Sequence, residues 1–465
     1  MMPRNKWVLY SSGAGWQLAN ILEEAGDEAV VYFRKQEDRH LAEGLVKKID
    51  DDGLREILRT DRYREWIFVW DDIGDGKIAD SLRQMGWRVF GGGRFADKIE
   101  KDRGFARQVA ERCGIKPPPT QECPNPAAAM QFIREHPGRY VLKPYDNQIS
   151  VYISDGVEDA LEILSYWQRI APNMALDVQK YITGRNVDVE IWWNRGIPVG
   201  PPNYDIETKK FMPDDFGSSV GCATSVVWWS TRASKTWEVC KQLEPVMRRV
   251  DYTGPISLNL MIDEATHQIF LLEFTPRFGY NAYYCLWELD PYRFGEFMLM
   301  TFEAYEETLL PVNTHQFAAA ARVSIPPYPF EHPDKKIHRQ LYEQLRGMPI
   351  SLEGDYPAKI YPGDVMLEDG KMVCAGIDGI IAEVVAVDES PEAAWAKVVE
   401  TVKALKIPNK QARLADGIDD FQKWFPRFVA WKVVGDIDRL PRRSLEGIRM
   451  EEEDGEPHPI LRAII

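Results

Sequence analysis

Four polar side chains between residues 252 and 282 carry the strongest chemical signal in the sequence: Asn259, Glu273, Thr275 and Arg277. Carboxylate, amide and hydroxyl oxygens are ligands for a hard divalent cation, which keeps waters and phosphate oxygens as its other ligands. A guanidinium binds phosphate or carboxylate through two parallel hydrogen bonds. Together these groups predict a site for a magnesium-bound nucleotide. The alternative is a solvent-exposed strand face with one glutamate and a peripheral arginine.

Two strands must position these side chains. Apolar residues fall on even numbers from 256 to 262 and again from 270 to 274, which is the period of a half-buried strand. A hairpin with residues 263–269 as its connection sets Asn259 opposite Glu273. A slip of one residue would mix the apolar and polar faces, so the pattern specifies this register.

The amino-terminal segment has the pattern of a βαβ unit. Residues 6–10 and 29–33 are predicted as buried strands, and residues 16–25 as the helix between them. In the loop before the helix, Gly13 and Gly15 could bring backbone amides close to a phosphate. The third glycine of a dinucleotide-binding loop is missing, so the pattern favours simple turn glycines.

Composition limits the class of protein. The 465 residues are 45% hydrophobic and 28% charged, which is typical of a globular chain with several lobes. The net charge of −15 disfavours direct nucleic-acid binding. No apolar run approaches the roughly 20 residues of a membrane-spanning helix, so no membrane partner is expected. The six cysteines lack metal-ligand or disulfide spacing, which favours the reducing cytoplasm.

Residues 272–279, LEFTPRFG, resemble the Glu-Phe-Asn-x-Arg-Phe-Gly signature of the ATP-grasp ligases, and among these phosphoribosylamine–glycine ligase (glycinamide ribonucleotide synthetase). The resemblance implies that Glu273, with Asn259 and Thr275, binds Mg²⁺. It also implies that Arg277 is a catalytic residue acting on the transferred phosphoryl group. Threonine stands where the family has a ligating asparagine, and Asn259 where many members have an acidic ligand.

Further motifs follow in the order of the family. Lys143, in the strand RYVLKP, resembles the lysine that contacts nucleotide phosphates and is a second catalytic candidate; residues 178–182 resemble the hinge whose backbone reads adenine. The ATP ligands implied in this way are Arg103, Lys143, Gln179, Lys180, Tyr181, Ile182, Asn186 and Asp188. Solvated charges are the alternative for Arg103 and Asp188. The glycine-rich flap of the family has only a poor counterpart in residues 145–156.

Positions that face the substrates in the family differ in this sequence. Trp16, Gln17 and Leu18 replace a run of arginine, glutamate and histidine after the glycine-rich loop. The segment 218–221, SSVG, replaces Asn-Thr-Gly-Gly, and 279–282, GYNA, replaces Gly-Asp-Pro-Glu. The differences imply a substrate pair other than phosphoribosylamine and glycine.

The resemblance also implies a multidomain fold of the α/β and α+β classes. It consists of an ATP-grasp fold with an amino-terminal Rossmann-like (pre-ATP-grasp) domain and a small carboxy-terminal α+β domain. In the last domain, Ser390 as N-cap and Pro391 at the first helical position predict a helix. The predicted boundaries are residues 1–94, 95–330 and 331–435, followed by a tail at 436–465.

The predicted function is that of an ATP-dependent carboxylate–amine ligase, with ATP and Mg²⁺ as cofactors. ATP phosphorylates a small-molecule carboxylate, and an amine substrate attacks the acyl phosphate to give an amide. We expect a cytoplasmic monomer or homodimer. Two alternatives remain: an authentic but divergent phosphoribosylamine–glycine ligase, and a nucleotide-binding module that has lost catalysis.

Overall fold

The computed structural model describes most of the chain. The described residues are 5–145, 149–289, 294–304, 312 and 316–435, with only the backbone at residue 280. Part of the predicted flap, residues 146–148, and the predicted tail therefore lie outside the described residues.

The strands and helices are numbered in chain order. The strands are β1 (Lys6–Ser11), β2 (Glu28–Phe33), β3 (Trp66–Trp70), β4 (Arg88–Phe90), β5 (Thr120–Cys123), β6 (Tyr140–Pro144), β7 (Tyr152–Ile153), β8 (Leu176–Lys180), β9 (Gly184–Asn194), β10 (Ile197–Lys210), β11 (Ser219–Trp229), β12 (Gly254–Asp263), β13 (Ile269–Thr275), β14 (Phe317–Ser324), β15 (Lys359–Pro362), β16 (Val365–Glu368), β17 (Lys371–Cys374) and β18 (Ile380–Asp388). The α-helices are α1 (Leu18–Glu24), α2 (Asp51–Thr60), α3 (Gly76–Gln84), α4 (Arg94–Lys101), α5 (Arg103–Arg112), α6 (Pro126–Glu135), α7 (Val157–Ile170), α8 (Lys235–Lys241), α9 (Glu244–Val250), α10 (Tyr280–Leu289), α11 (Phe294–Glu303), α12 (Lys335–Glu343), α13 (Pro391–Ala404) and α14 (Asp419–Ala430). Within the described ranges, no helix has the length and apolar composition needed to cross a membrane.

The chain divides into two compact units. The first unit consists of residues 1–106, 187–258 and 274–465, and the second of residues 107–186 and 259–273. Strands β9, β12 and β13 each have residues in both units. The domain boundaries given above from the sequence stay a prediction.

The first unit begins with a four-stranded sheet in the order β2-β1-β3-β4, with all neighbours parallel. Its central strands are almost continuously apolar, as expected where helices cover both faces of a parallel sheet. Trp7, Val8 and Leu9 of β1 are buried, as are Ile67 and Phe68 of β3. The predicted βαβ opening is confirmed.

The same unit holds most of an eight-stranded sheet, in the order β13-β12-β9-β10-β11-β14-β18-β15. Strand β14 pairs antiparallel with both β11 and β18. Residues 318–321 of β14 are four consecutive alanines, all completely buried, and helices α10 and α13 pack on this strand. The small side chains let these layers approach closely around the carboxy-terminal part of the fold.

The second unit is built on an antiparallel sheet in the order β5-β8-β6-β7. Leu142 of β6 and Val178 of β8 pack in its core with Leu164 and Trp167 of α7 and Ile133 of α6. Alternation along β6 buries Tyr140, Leu142 and Pro144 and leaves the residues between them half-buried. Lys143 lies between Leu142 and Pro144, so the alternation places it on the opposite face of the sheet from these two buried residues.

Two stretches of helix are each divided in two. Asp102 separates α4 from α5, because it is extended (φ −108°, ψ 95°) and its Oδ1 accepts from the amide of Phe105. Residues 242 and 243 separate α8 from α9, with Pro245 in the first turn of α9. A capping aspartate and a proline without an N–H both favour a new helix start.

Candidate active site

The hairpin between β12 and β13 closes differently from the prediction. The amide of Asp263 donates to the carbonyl of Gln268 at 2.9 Å, and the amide of His267 donates to the carbonyl of Asp263 at 2.9 Å. His267 has a left-handed φ of 55°. Asp263 thus pairs with Gln268 rather than with Ile269, and the predicted connection is wrong by one residue at each end. Alternation marks the faces of a strand, but it does not reveal the extra residue of a bulged turn.

The predicted metal ligands are oxygen donors, as a hard cation requires. Asn259 is buried, and its Oδ1 has no hydrogen-bond partner among the described residues. Glu273 is exposed on β13, and Thr275 is half-buried at the end of the same strand. A buried amide oxygen without a donor and an exposed carboxylate fit Mg²⁺ in their chemistry. The assignment of these three residues to the metal stays a prediction.

Strand β6 presents Lys143 as predicted. Lys143 is half-buried and lies opposite Asp177 of β8 in the antiparallel register. The Asp177 carboxylate is buried and accepts from Arg107 Nη1 at 2.6 Å and from the Tyr145 hydroxyl at 2.8 Å. Arg107 and Tyr145 therefore supply hydrogen bonds to the buried carboxylate of Asp177, the residue opposite Lys143. The phosphate role of Lys143 stays a prediction.

The hinge segment borders a cavity of about 540 Å³ in the second unit, which residues 180–183 line together with residues 263–266 of the hairpin turn. The amide of Lys180 donates to the carbonyl of Pro119 at 2.8 Å, and that of Tyr181 donates to the carbonyl of Arg139 at 3.0 Å. Ile182 makes no backbone hydrogen bond within the described part of the chain. Among residues 179–182, Ile182 is therefore the described residue with neither backbone group paired, and the side chain of Gln179 is buried.

The remaining nucleotide candidates lie on different elements. Arg103, half-buried, is the first residue of α5. Asn186, on β9, is buried, and its Nδ2 has no hydrogen-bond partner among the described residues. The predicted site residues are divided between the units: Lys143, Gln179, Lys180, Tyr181, Ile182, Asn186, Asn259 and Glu273 belong to the second, and Arg103, Asp188, Thr275 and Arg277 to the first.

Asp188 lies in an acidic cluster that the sequence did not predict. It is opposite Asp205 of β10, and burial, followed by the charge of Glu207, raises the pKa of its carboxyl group well above the usual value. Asp205, Glu207 and Cys222 each place a ligand atom within 4.8 Å of the others, so they could hold a cation. Lys209 Nζ lies 2.9 Å from Glu207 Oε1. Acidic residues at alternate positions of a strand are the signal that could have found this cluster.

Glu190, two residues after Asp188 on β9, is a buried internal acceptor. Its Oε1 accepts from the Trp192 indole at 2.8 Å and from Asn203 Nδ2 at 3.0 Å. Burial raises the pKa of its carboxyl group to about 7, and the hydrogen bonds offset only part of this effect. Glu190 therefore takes part in packing rather than presenting an open ligand.

Glu190 should make stability depend on pH. Between its ordinary pKa in the unfolded chain, about 4.3, and about 7 in the fold, the native state holds the extra proton. Wild-type stability should therefore fall as pH rises through this window, relative to Glu190→Gln. Urea unfolding at pH 5, 6, 7 and 8 measures the difference. Glu400→Gln, at an exposed position on α13, is the control; a difference for Glu190→Gln that does not vary with pH contradicts the assignment.

Arg277 is held by two acids that the sequence did not single out. Its Nε lies 3.0 Å from Glu100 Oε1 and 3.2 Å from Asp72 Oδ1. Arg34 Nη2 lies 3.8 Å from Asp72 Oδ2. Asp72 follows β3 at the carboxyl edge of the parallel sheet, where ligands of such folds bind. This position in the sequence is the signal that could have identified Asp72 as a site residue. Both acids contact Nε, so binding of a phosphoryl group through this nitrogen would require Arg277 to exchange these partners.

The amino-terminal glycine loop binds an internal carboxylate. Asp71 accepts from the amide of Ser12 at 2.8 Å, from the amide of Gly15 at 3.0 Å and from the hydroxyl of Ser11. A Cβ on Gly15 would lie 2.8 Å from Asp71 Cβ, which explains the glycine there. The loop therefore turns around Asp71 and does not offer these amides to a phosphate, in agreement with the turn interpretation.

The first unit contains a cavity of about 520 Å³. Its lining includes residues at or next to the segments 16–18, 218–221 and 279–282, where the sequence differs from the ATP-grasp ligases. Gln17, residues 219–221 and Tyr283 all line it. Arg322 of β14 and Glu383 of β18 also line it, and neither was predicted. Both are charged residues in otherwise apolar strands, which is the signal that marks them.

Arg322 and Glu383 form a buried ion pair. Arg322 is 8% exposed and Glu383 is 5% exposed, and Nε donates to Oε1 at 2.7 Å. The guanidinium also donates to Asn281 Oδ1 at 3.2 Å, to the carbonyl of Val220 at 3.2 Å and to the hydroxyl of Tyr328 at 3.3 Å. Each donating nitrogen of Arg322 thus has a partner within the protein.

The fold is that of the ATP-grasp enzymes, and the predicted fold class is confirmed. The crystal structure of phosphoribosylamine–glycine ligase from Thermotoga maritima superposes with a TM-score of 0.67 at 18% identity, covering 88% of this chain and 99% of that one. Biotin carboxylase from Campylobacter jejuni, in a β,γ-ATP complex, gives 0.61 at 14% identity, covering 89% and 96%. N5-carboxyaminoimidazole synthase from Aspergillus clavatus, with ADP and its ribonucleotide ligand, gives 0.54 at 11%, covering 86% and 98%.

Sequence comparison is more restricted. No protein-family model matches the chain. The curated phosphoribosylamine–glycine ligase of Methanocorpusculum labreanum is 37% identical over 68 residues, which is 14% of this chain and 16% of that protein. The resemblance to this ligase is confirmed as that of a divergent relative, matched in sequence over less than a fifth of the relative's length.

Proposed function

We propose that the protein is an ATP-dependent ligase that joins a small-molecule carboxylate to an amine through an acyl phosphate. The observation that carries this proposal is the arrangement of Lys143, the hinge at 179–182, Glu273 and Arg277, in that order, on elements of an ATP-grasp fold. Neighbouring folds belong to ATP-dependent ligases and carboxylases. A nucleotide-binding module that has lost catalysis is the weaker alternative, since these charged groups are retained.

The residues have separate tasks in this proposal. Lys143 and Arg103 hold the phosphates of the nucleotide, and the backbone at Ile182 reads the base. Glu273, with Asn259 and Thr275, would hold Mg²⁺, which when bound offsets the negative charge of the phosphates. Arg277 leaves Asp72 and Glu100 to donate to the transferred phosphoryl group, where charge develops.

The substrate pair is proposed to differ from phosphoribosylamine and glycine. Asp71 engages the amides of the loop at 11–15, so a phosphate on the substrate would lack these donors. The altered segments at 218–221 and 279–282 supply Val220 and Asn281 as partners of a buried arginine. An authentic phosphoribosylamine–glycine ligase stays the second candidate, because the fold is retained.

Mg-ATP should raise the melting temperature of the protein because it binds only the folded state. At about 100 times the dissociation constant, the gain is about 2.7 kcal/mol. ADP release should then require both a carboxylate and an amine from a panel of amino acids and amines, while glycine with phosphoribosylamine gives little. ATP with EDTA is the control. If millimolar Mg-ATP gives no melting shift, the result contradicts nucleotide binding. Turnover of phosphoribosylamine with glycine on the order of 1 per second or more favours an authentic phosphoribosylamine–glycine ligase.

A further inference from the structure

Three of the residues that line the 520 Å³ cavity of the first unit each carry a buried side-chain oxygen that has no hydrogen-bond partner among the described residues. They are Gln17 Oε1, Asp364 Oδ1 and Glu383 Oε2, on side chains that are at most 5% exposed. Among the described lining residues, no buried side-chain nitrogen is left without a partner. Buried polar atoms are normally satisfied, so three unpaired acceptors indicate a ligand that donates hydrogen bonds.

Each orphan is one of two polar atoms at the end of its side chain, and the other atom is fixed by the protein. Gln17 Nε2 donates to the carbonyl of Pro362, which determines that Oε1 is the unpaired atom. Asp364 Oδ2 accepts from the amides of residues 377–379 at 2.8 to 3.0 Å. Glu383 Oε1 accepts from Arg322. The three side chains are thus held in place, and their second oxygens are left without a hydrogen-bond donor among the described residues.

The charged residues around the cavity also favour a ligand that is positively charged. Glu331 and Asp378 add carboxylates to the lining. The guanidinium of Arg322 already donates to protein acceptors, and Lys35 is an exposed lysine with its Nζ 3.8 Å from Asp38. Tyr283 also lines the cavity, and an aromatic face attracts cations. A ligand that is both a donor and a cation therefore matches the lining better than an anion does.

We infer that this cavity binds a protonated primary amine or a guanidinium compound, held by Gln17, Asp364 and Glu383. The volume is that of a small-metabolite site. Resting on the proposed ligase function, this ligand is the amine substrate: its cationic group is held here in place of the phosphate of phosphoribosylamine, and a second, unprotonated amino group of the same molecule is the nucleophile. The binding step itself requires neither nucleotide nor metal.

Isothermal titration calorimetry of the full chain without ATP tests the inference. The probes are 1,4-diaminobutane and agmatine, with butane-1,4-diol as the neutral match and succinate as the anionic one. Binding of at least one cationic probe, with no binding of the diol or succinate, is expected. Failure of both cationic probes, or binding of succinate in their place, overturns the inference.

Asp364→Asn keeps an oxygen for the three backbone amides and puts an NH₂ group where the unpaired oxygen was. We expect it to weaken binding of the cationic probe by about tenfold or more. Gln17→Met gives a second variant that decides the matter if Asp364→Asn does not fold. Asp369→Asn, in the turn between β16 and β17, where φ is 49°, is the control and should bind normally. Unchanged affinity in both cavity variants overturns the inference.

The two proposals fail in different ways. If the cationic probe binds but Mg-ATP gives no melting shift, the ligase proposal fails and the cation site stands. If Mg-ATP shifts the melting temperature but only succinate binds, the cation site fails and the nucleotide proposal stands.

Discussion

Replacing Glu273 by glutamine should lower metal-dependent ATP turnover by on the order of 100-fold or more while the fold stays intact. Glutamine keeps the shape of the side chain and one acceptor oxygen but loses the charge that attracts Mg²⁺. Because Glu273 is exposed on β13, packing should change little. Turnover is measured by ADP release with the substrate pair identified from the panel, across a magnesium titration, and the fold by circular dichroism.

The matched control is Glu162→Gln, an exposed glutamate on α7 of the same unit, and it should retain activity. Near-normal turnover in Glu273→Gln would place the metal elsewhere. The acidic cluster of Asp205 and Glu207 would then be tested first, since its ligand atoms already lie within 4.8 Å of each other. Loss of the fold would instead identify Glu273 as a structural partner.

Replacing Arg322 by methionine should destabilise the protein by on the order of 3 to 5 kcal/mol, because it leaves the buried carboxylate of Glu383 without its compensating charge. The variant also removes donors from Asn281 and Tyr328. Because both ion-pair partners are less than 9% exposed, solvent screens the pair little. The free energy of unfolding in urea measures the loss.

The double variant Arg322→Met/Glu383→Leu should recover much of this loss, since a buried ion pair can often be exchanged for apolar side chains at little cost. Arg59→Met is the control. Arg59 forms an exposed pair with Glu56 at 2.6 Å on α2, and such pairs contribute only about 0 to 1 kcal/mol. Equal effects of Arg322→Met and Arg59→Met would contradict the role assigned to burial.

Local patterns predicted those features that depend on neighbouring residues. Alternation identified β12 and β13, and the loop and helix signals identified the βαβ opening. Ser390 accepts from the amide of Ala393 and Pro391 begins α13, as predicted from the capping pattern. In each case the determining atoms lie within a few residues of one another, so the sequence order itself carries the information.

The parts that could not be predicted depend on distant pairing. Arg322 and Glu383 are 61 residues apart, and the Asp71 carboxylate binds a loop about as far away in the chain. No periodicity connects such positions, and a charged residue within an apolar strand indicates only that some partner must exist. The bulge at His267 was missed for a different reason: one extra residue in a turn leaves the hydrophobic pattern of both strands unchanged.

The carboxylate of Asp71 gives the amino-terminal loop a tethered anion of its own. A tethered group acts at a high effective concentration, because the cost of bringing it to its partners is met once, during folding. An external phosphate would have to compete with this group for the amides of Ser12 and Gly15. The Asp71 carboxylate already occupies the anion-binding amides of the loop. This internal competitor disfavours phosphate at the loop whatever ligand the neighbouring cavity binds.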